Sequence, residues 1–211
     1  MSDGLVLYTN PMSRGRNVRW MLEEVGAPYR AEVLPFGPAL QSEAFVALNP
    51  MRKVPVLVHG DQVVTETAAI CMYLADAFPE RGLAPPHDRR GAYYRWIAFA
   101  TGPLDAAMAN RSVGWEVPEA NRRSFGYGDY DRVVETLELA VTGRHFVAGA
   151  EFTAADLLLG GGISYGLRMG LLPDRPAFRA YVDHLDARPA RQRALAMDAA
   201  AQEALEKGVP A

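Results

Sequence analysis

Ser13 stands in the stretch Tyr8-Thr-Asn-Pro-Met-Ser-Arg-Gly-Arg16, after the apolar run Leu5-Val-Leu-Tyr8 and before residues of helical spacing. A serine there caps the helix. The same hydroxyl can hydrogen-bond a thiolate, an anion the helix dipole also favours. A free thiol titrates near ~8.5, and lowering it by one unit takes ~1.4 kcal/mol, so a hydroxyl and a helix terminus together account for about one or two units. A second stretch, Thr65-Glu66-Thr67, precedes another helical pattern. Read structurally, it is an N-cap with an acid favourable to the dipole. Read chemically, the Thr67 hydroxyl and free N–H groups hold a carboxylate while Glu66 holds an ammonium, as suits the α-amino acid end of a ligand. The third stretch is Val54-Pro55, inside an apolar run. A proline lacks a ladder donor and belongs at a sheet edge. With a cis bond, the N–H and C=O of Val54 turn outward and can pair with an extended peptide, strand to strand.

Other conspicuous residues read as structural. Thr153-Ala-Ala-Asp156 before Leu157-Leu-Leu159 is a capping signature, worth ~0.5–2 kcal/mol if lost. Gly160-Gly-Gly162 behind it costs ~1 kcal/mol per glycine relative to alanine, which close helix packing offsets. His59, His87, His145 and His184 have no metal-ligand or triad spacing, and Cys71 reads as a small buried hydrophobe. Tyr93, Tyr94 and Trp96 fit a helix core or a binding wall, and Arg111 and Trp115 share that ambiguity.

The elements that must position these residues fall into two regions. Up to about residue 80, strand and helix alternate. Val18, Met21, Leu22 and Val25 mark one helical face ended by Gly26; Tyr29–Leu34, Val54–Val58 and Gln62–Thr65 read as strands; Ile70, Tyr73, Leu74 and Ala77 mark another helical face. This order predicts a mixed four-stranded sheet with helices against it, an α/β domain over 1–80. Residues 81–88, with two prolines and a glycine, read as a linker. From 89 to 211 strand signals vanish. Tyr93, Trp96, Ile97 and Ala100 keep helical spacing, as do Tyr130, Val133, Val134, Leu137 and Val141; further helices begin at Thr153, near Pro176 and at Pro189, giving an all-α domain. Gly208-Val-Pro-Ala211 reads as a frayed tail.

Composition excludes several classes. The 211 residues carry a formal net charge of −3, with 49% hydrophobic and 22% charged residues, which excludes a disordered chain. All but Lys53 and Lys207 of the 22 basic residues are arginine, and none of their clusters forms a run that tracks phosphates, so no nucleic-acid partner is expected. The single cysteine forms no intrachain disulfide and builds no thiolate metal centre, pointing to a reducing, cytoplasmic setting. No secretory leader and no membrane span are read.

Taken together, four motifs resemble the cytosolic glutathione S-transferase family over nearly the whole chain. They are Tyr8 through Ser13 into Leu22-Glu-Glu24, Asn49-Pro-Met-Arg-Lys-Val-Pro55-Val-Leu57, Thr65-Glu-Thr-Ala-Ala-Ile70 and Phe152-Thr-Ala-Ala-Asp156. The resemblance implies a thioredoxin-like N-terminal domain, an all-α C-terminal domain, a homodimer, and glutathione as co-substrate with no metal. It implies that Pro55 is cis, that Val54 bonds the cysteinyl backbone of glutathione, that Glu66 and Thr67 hold its γ-glutamyl end, and that Lys53 holds its glycine carboxylate. The family usually has serine where this chain has Thr67, and the hydroxyl is kept. Ser13 matches the serine of theta- and phi-like classes, with Arg14 as helper. Tyr8 matches the spacing of tyrosine-type members, and Asn10 is a third candidate. The expected electrophile pocket lies between the domains, lined by Pro11, Met12, Tyr93, Arg111 and Trp115. The reaction implied is attack of the glutathione thiolate on a small, mostly apolar electrophile, for detoxification. Two alternatives are glutathione-dependent disulfide or peroxide reduction, and a non-catalytic ligand-binding or stress protein on the same fold.

Overall fold

The computed structural model describes residues 4–208. They form two compact units. Among the described residues, one comprises 4–81 with 188–208, the other Gly82–Ala187.

In the first unit, β1 (Leu5–Thr9) and β2 (Tyr29–Val33) run parallel, joined through α1 (Gly15–Val25). β3 (Val56–His59) lies antiparallel to β1, and β4 (Gln62–Thr65) antiparallel to β3, giving the order β2-β1-β3-β4. This is the mixed four-stranded sheet expected. Val18, Met21, Leu22 and Val25 of α1 are fully buried, and Gly26 ends the helix with φ 70°, a left-handed conformation that glycine adopts without a Cβ penalty. β3 begins at Val56 rather than Val54, because Pro55 offers no N–H to the ladder. The irregular stretch after β2 contains a short helix, α2 (Glu43–Leu48), capped by Ser42, whose hydroxyl accepts the Phe45 N–H at 3.3 Å. α3 (Thr67–Ala77) buries Ile70, Cys71, Leu74 and Ala75. Its inner face is therefore turned by one residue from the expected Tyr73 and Ala77. Tyr73 instead reaches His59, its hydroxyl 2.9 Å from Nδ1.

α9 (Pro189–Lys207) counts with the all-α region by its place in the chain, yet it packs on α1 and groups with the first unit. Charge pairing fastens it. Arg19 Nε donates to Asp198 at 2.7 Å with both side chains buried, Arg188 grips Glu24 through two bonds of 2.7 and 2.8 Å, and Arg193 meets Glu23 at 2.8 Å. The Arg191 guanidinium lies 4.6 Å from the centre of the Trp20 ring. Gly208 ends α9 in the left-handed conformation; the rest of the stretch read as a tail lies outside the described residues.

The second unit is helical. α4 (Gly91–Phe99) continues through a wider turn over Ala100–Leu104, which accommodates Pro103, into α5 (Asp105–Ser112). α6 (Tyr130–Val141), α7 (Ala154–Arg168) and α8 (Pro176–Asp186) follow. Tyr93, Trp96, Ile97 and Ala100 are all buried, as their spacing requires. Thr153 and Asp156 form the expected capping box at the head of α7, with Asp156 Oδ2 accepting the Thr153 N–H at 2.8 Å. Gly160 serves close packing, since a Cβ there meets Leu185 Cδ1 of α8 at 2.3 Å.

Candidate functional site

Strand register puts the three chemistry-bearing stretches at one end of the sheet. Tyr8 lies opposite Val56, and Val56 opposite Thr65. The turn leaving β1, the loop entering β3 and the turn leaving β4 therefore open side by side.

In the first turn, Ser13 Oγ accepts the Gly15 N–H at 2.9 Å and donates to the Asn10 carbonyl at 2.7 Å. Half-buried, it holds the N–H of the first residue of α1 from one position before the N-cap: Arg14 occupies the N-cap itself, so the helix starts one residue later than a Ser13 cap would have it. Asn10 is buried and spent on the turn itself: Oδ1 accepts the Met12 N–H and Nδ2 donates to the Leu34 carbonyl, both at 2.8 Å. A Cβ on Gly15 would stand 2.0 Å from Thr9 Oγ1 and 2.9 Å from Ser13 Oγ, so only glycine lets strand end, hydroxyl and helix start come this close. Tyr8 sits on the other face of β1 from Leu5, Leu7 and Thr9, and packs with Leu40, Phe45 and Val56, its ring edge-on to Phe45 at 6.1 Å. Pro11 is buried, whereas Met12 and Arg14 are exposed.

The second loop has the same kind of clamp. Asn49, 3% exposed, accepts the Met51 N–H at 3.0 Å and donates to the Lys53 carbonyl at 2.8 Å. Lys53 projects into solvent, Val54 is half-buried, and the Val54–Pro55 bond is cis. In the third turn, Glu66 has φ 67° and no side chain caps α3, leaving its first-turn N–H groups without a capping acceptor. Thr67 is buried beside them and Glu66 is exposed.

Sequence reasoning missed the holding roles of Asn49 and Gly15. An asparagine before a proline, and a glycine two residues after a capping serine, are the signals that could have pointed to them.

The remaining candidates belong to the second unit. Tyr93 is 1% exposed and faces the helical core. Arg111 lies on the last turn of α5 with its guanidinium 4.3 Å from the centre of the Tyr130 ring, and Trp115 follows the end of that helix. Cys71 is fully buried, and burial pushes its thiol well above the usual range, so it is no nucleophile. Among the described residues no three His, Cys, Asp or Glu side chains come together as a metal site, and no helix is long and apolar enough to cross a membrane.

A family model described as the glutathione S-transferase N-terminal domain matches residues 12–77. Glutathione S-transferase A of Pleuronectes platessa is 33% identical over 175 residues, covering 76% of either chain. The chain belongs to the glutathione S-transferase family. A solved glutathione transferase from Methylococcus capsulatus superposes with a TM-score of 0.76 at 26% identity, covering 92% of this chain and 98% of that one. The thioredoxin-like part of the first unit, residues 12–77, is thus the N-terminal domain of the family, to which α9 is added from the far end of the chain. Another relative, the disulfide-bond oxidoreductase YghU of Escherichia coli, is 30% identical over 74% of this chain and 58% of its own length.

Proposed function

We propose that this family member is a glutathione transferase acting from the three aligned turns. The observation that carries the reading is the register row Tyr8–Val56–Thr65, which makes neighbours of the Ser13 turn, the Lys53–Pro55 loop and the start of α3. A tripeptide with a carboxylate at each end and a thiol between them suits that row. Val54 offers its peptide group to the extended cysteinyl segment. The first N–H groups of α3 and the Thr67 hydroxyl take the γ-glutamyl carboxylate, and Glu66 takes its ammonium. Lys53 attracts the glycine carboxylate.

Ser13 is the residue we assign to the thiol. Its hydroxyl stands at the first turn of α1, where the dipole also favours an anion, and Arg14 adds positive charge beside it. In the absence of a sulfur its proton goes to the Asn10 carbonyl, and turning it outward is the motion that thiolate binding requires. Asn10 keeps a positioning role, and Tyr8 supports the turn from the other face of the sheet. The thiolate then attacks an electrophilic carbon, forming a carbon–sulfur bond as the leaving group departs with its electron pair, the thiol proton having passed to solvent. The reading includes a cytoplasmic homodimer, with Pro11 and Met12 of the Ser13 turn contributing to the electrophile's surroundings.

The test is glutathione conjugation of an activated aryl halide. The protein should turn over, and Ser13→Ala should raise the pKa of bound glutathione by about one unit and lower the rate at neutral pH about tenfold. Absence of turnover, or an unaltered pH profile in the variant, overturns the assignment. The relationship to YghU favours disulfide reduction as the second reading; activity on a mixed glutathione disulfide with none on aryl halides selects it.

A further inference from the structure

His145 and His184 have no metal-ligand spacing in the sequence, yet the fold of the second unit brings them together. Their ring centres lie 4.8 Å apart at an interplanar angle of 54°. His145 stands in the segment 142–153, between α6 and α7, and His184 stands on α8. Both are exposed, and among the described residues neither imidazole has a hydrogen bond or an ion pair. His59 differs, because its Nδ1 is engaged by the Tyr73 hydroxyl.

One carboxylate holds both histidine-bearing elements. Asp156 Oδ1 accepts the Val147 N–H, two residues after His145, at 2.7 Å. The same oxygen accepts the Tyr181 hydroxyl, three residues before His184, at 2.8 Å. Phe146 adds packing beside them, its ring centre 5.4 Å from that of His184 and 6.1 Å from that of Phe152. The pair is therefore set in place by a buried knot, and a ligand bridging the two rings has little chain left to order.

Donor chemistry decides what kind of ligand. Two imidazoles side by side suit a borderline ion such as Ni²⁺, Cu²⁺ or Zn²⁺, whereas Mg²⁺ and Ca²⁺ take oxygen. Bonds of ~2.0–2.1 Å from an ion to two cis imidazole nitrogens put the ring centres about 4.5–5.2 Å apart, and the observed separation falls inside that range. The χ2 torsion of histidine is broad, so exposed rings can each turn one nitrogen to a common point. Arg144 and Asp183, next to the two histidines in the chain, are both exposed and of opposite sign, so their charges offset. Among the described residues no further His, Cys, Asp or Glu joins the pair as a third ligand, which leaves the remaining positions on the ion to water.

We propose that His145 and His184 form a two-imidazole site for a divalent transition-metal ion, which pins the segment 142–153 to α8.

The full-length protein is titrated calorimetrically with nickel chloride. One Ni²⁺ should bind per chain, and Mg²⁺ should give no heat. His145→Gln and His184→Gln should each lower Ni²⁺ affinity at least about tenfold, whereas His87→Gln should leave it unaltered. Saturating Ni²⁺ should raise the melting temperature of the parent by about 2–4 °C and leave that of the double variant where it was, since the bridged pair exists only in the folded state. Nuclear magnetic resonance of the parent keeps the test independent of how the variants fold: paramagnetic Ni²⁺ should broaden the ring signals of His145 and His184 together, ahead of those of His59 and His87. None of these readouts involves glutathione. No heat with Ni²⁺, full affinity in either single variant, or broadening that reaches His87 first each overturns the proposal.

Discussion

Asn10 and Asn49 in the first unit and Asp156 in the helical unit are all buried polar side chains that serve loop backbone. The two asparagines do so identically: each accepts the N–H two residues on and donates to a more distant carbonyl, Leu34 for one and Lys53 for the other. Being neutral, they lose little by leaving water once donor and acceptor are matched. Asp156 is a carboxylate with no exposure. It accepts from the Val147 N–H at 2.7 Å, the Thr153 N–H at 2.8 Å, the Thr153 hydroxyl at 2.9 Å and the Tyr181 hydroxyl at 2.8 Å. Burial still raises its pKa above the ordinary value, against the pull of those four bonds. Matched amides thus set the shape of the loops proposed to receive glutathione, while a carboxylate knots the helices of the other unit. Losses in the first place should appear in binding, and in the second in stability.

The largest effect expected is at Asp156. Asp156→Ala leaves the Val147 and Thr153 N–H groups and two hydroxyls buried without this acceptor, and should cost about 3–5 kcal/mol in a urea melt, above the value of a simple cap. Glutathione affinity measured below the melting transition should hold. A cost under about 1 kcal/mol would put Asp156 among ordinary exposed caps.

Next comes Asn49→Ala, which frees the Lys53 carbonyl and the Met51 N–H. Stability should fall by about 1–3 kcal/mol, and glutathione affinity by about tenfold when measured calorimetrically on folded protein. Full affinity in a destabilised protein would show that the second loop is not held for binding, and the contrast between amides and carboxylate would fail.

The smallest effect concerns pH. Tyr29 donates to Glu23 at 3.0 Å, and its pKa is pushed up to about 12, chiefly by burial. The unfolded phenol titrates near ~10, so the folded state keeps a proton that the unfolded state gives up. Stability should decline as pH rises from the unfolded value towards the folded one, and Tyr29→Phe should flatten that slope in urea melts taken on either side of pH ~10. Equal slopes for parent and variant would remove Tyr29 as the cause.

Where physics was local, the sequence was readable. Gly26 after Val25, Thr153 three residues before Asp156, and the buried spacing of Val18 through Val25 each act within about a helical turn, and each stands where it was expected. What escaped was set by distant partners. Asn10 needs Leu34, 24 residues on, before its amide makes sense. α2 is a short helix whose capping serine is surrounded by prolines and glycine that speak for irregular chain. The inner face of α3 turned because Tyr73 found His59 on a strand. α9 looked like a member of the helical region because nothing near it in sequence names Glu23, Glu24 or Arg19 as its counterparts.

That last helix gives the first unit a discontinuous ancestry in time. During synthesis, the sheet emerges long before the segment that covers Trp20 and neutralises Glu23 and Glu24, and α1 must wait half-dressed until the whole helical unit has come out ahead of α9. A fragment stopped at Arg81 would keep every strand and still lack the ionic seam that finishes its surface, so cutting this protein by its sheet alone should yield a sticky, incomplete half.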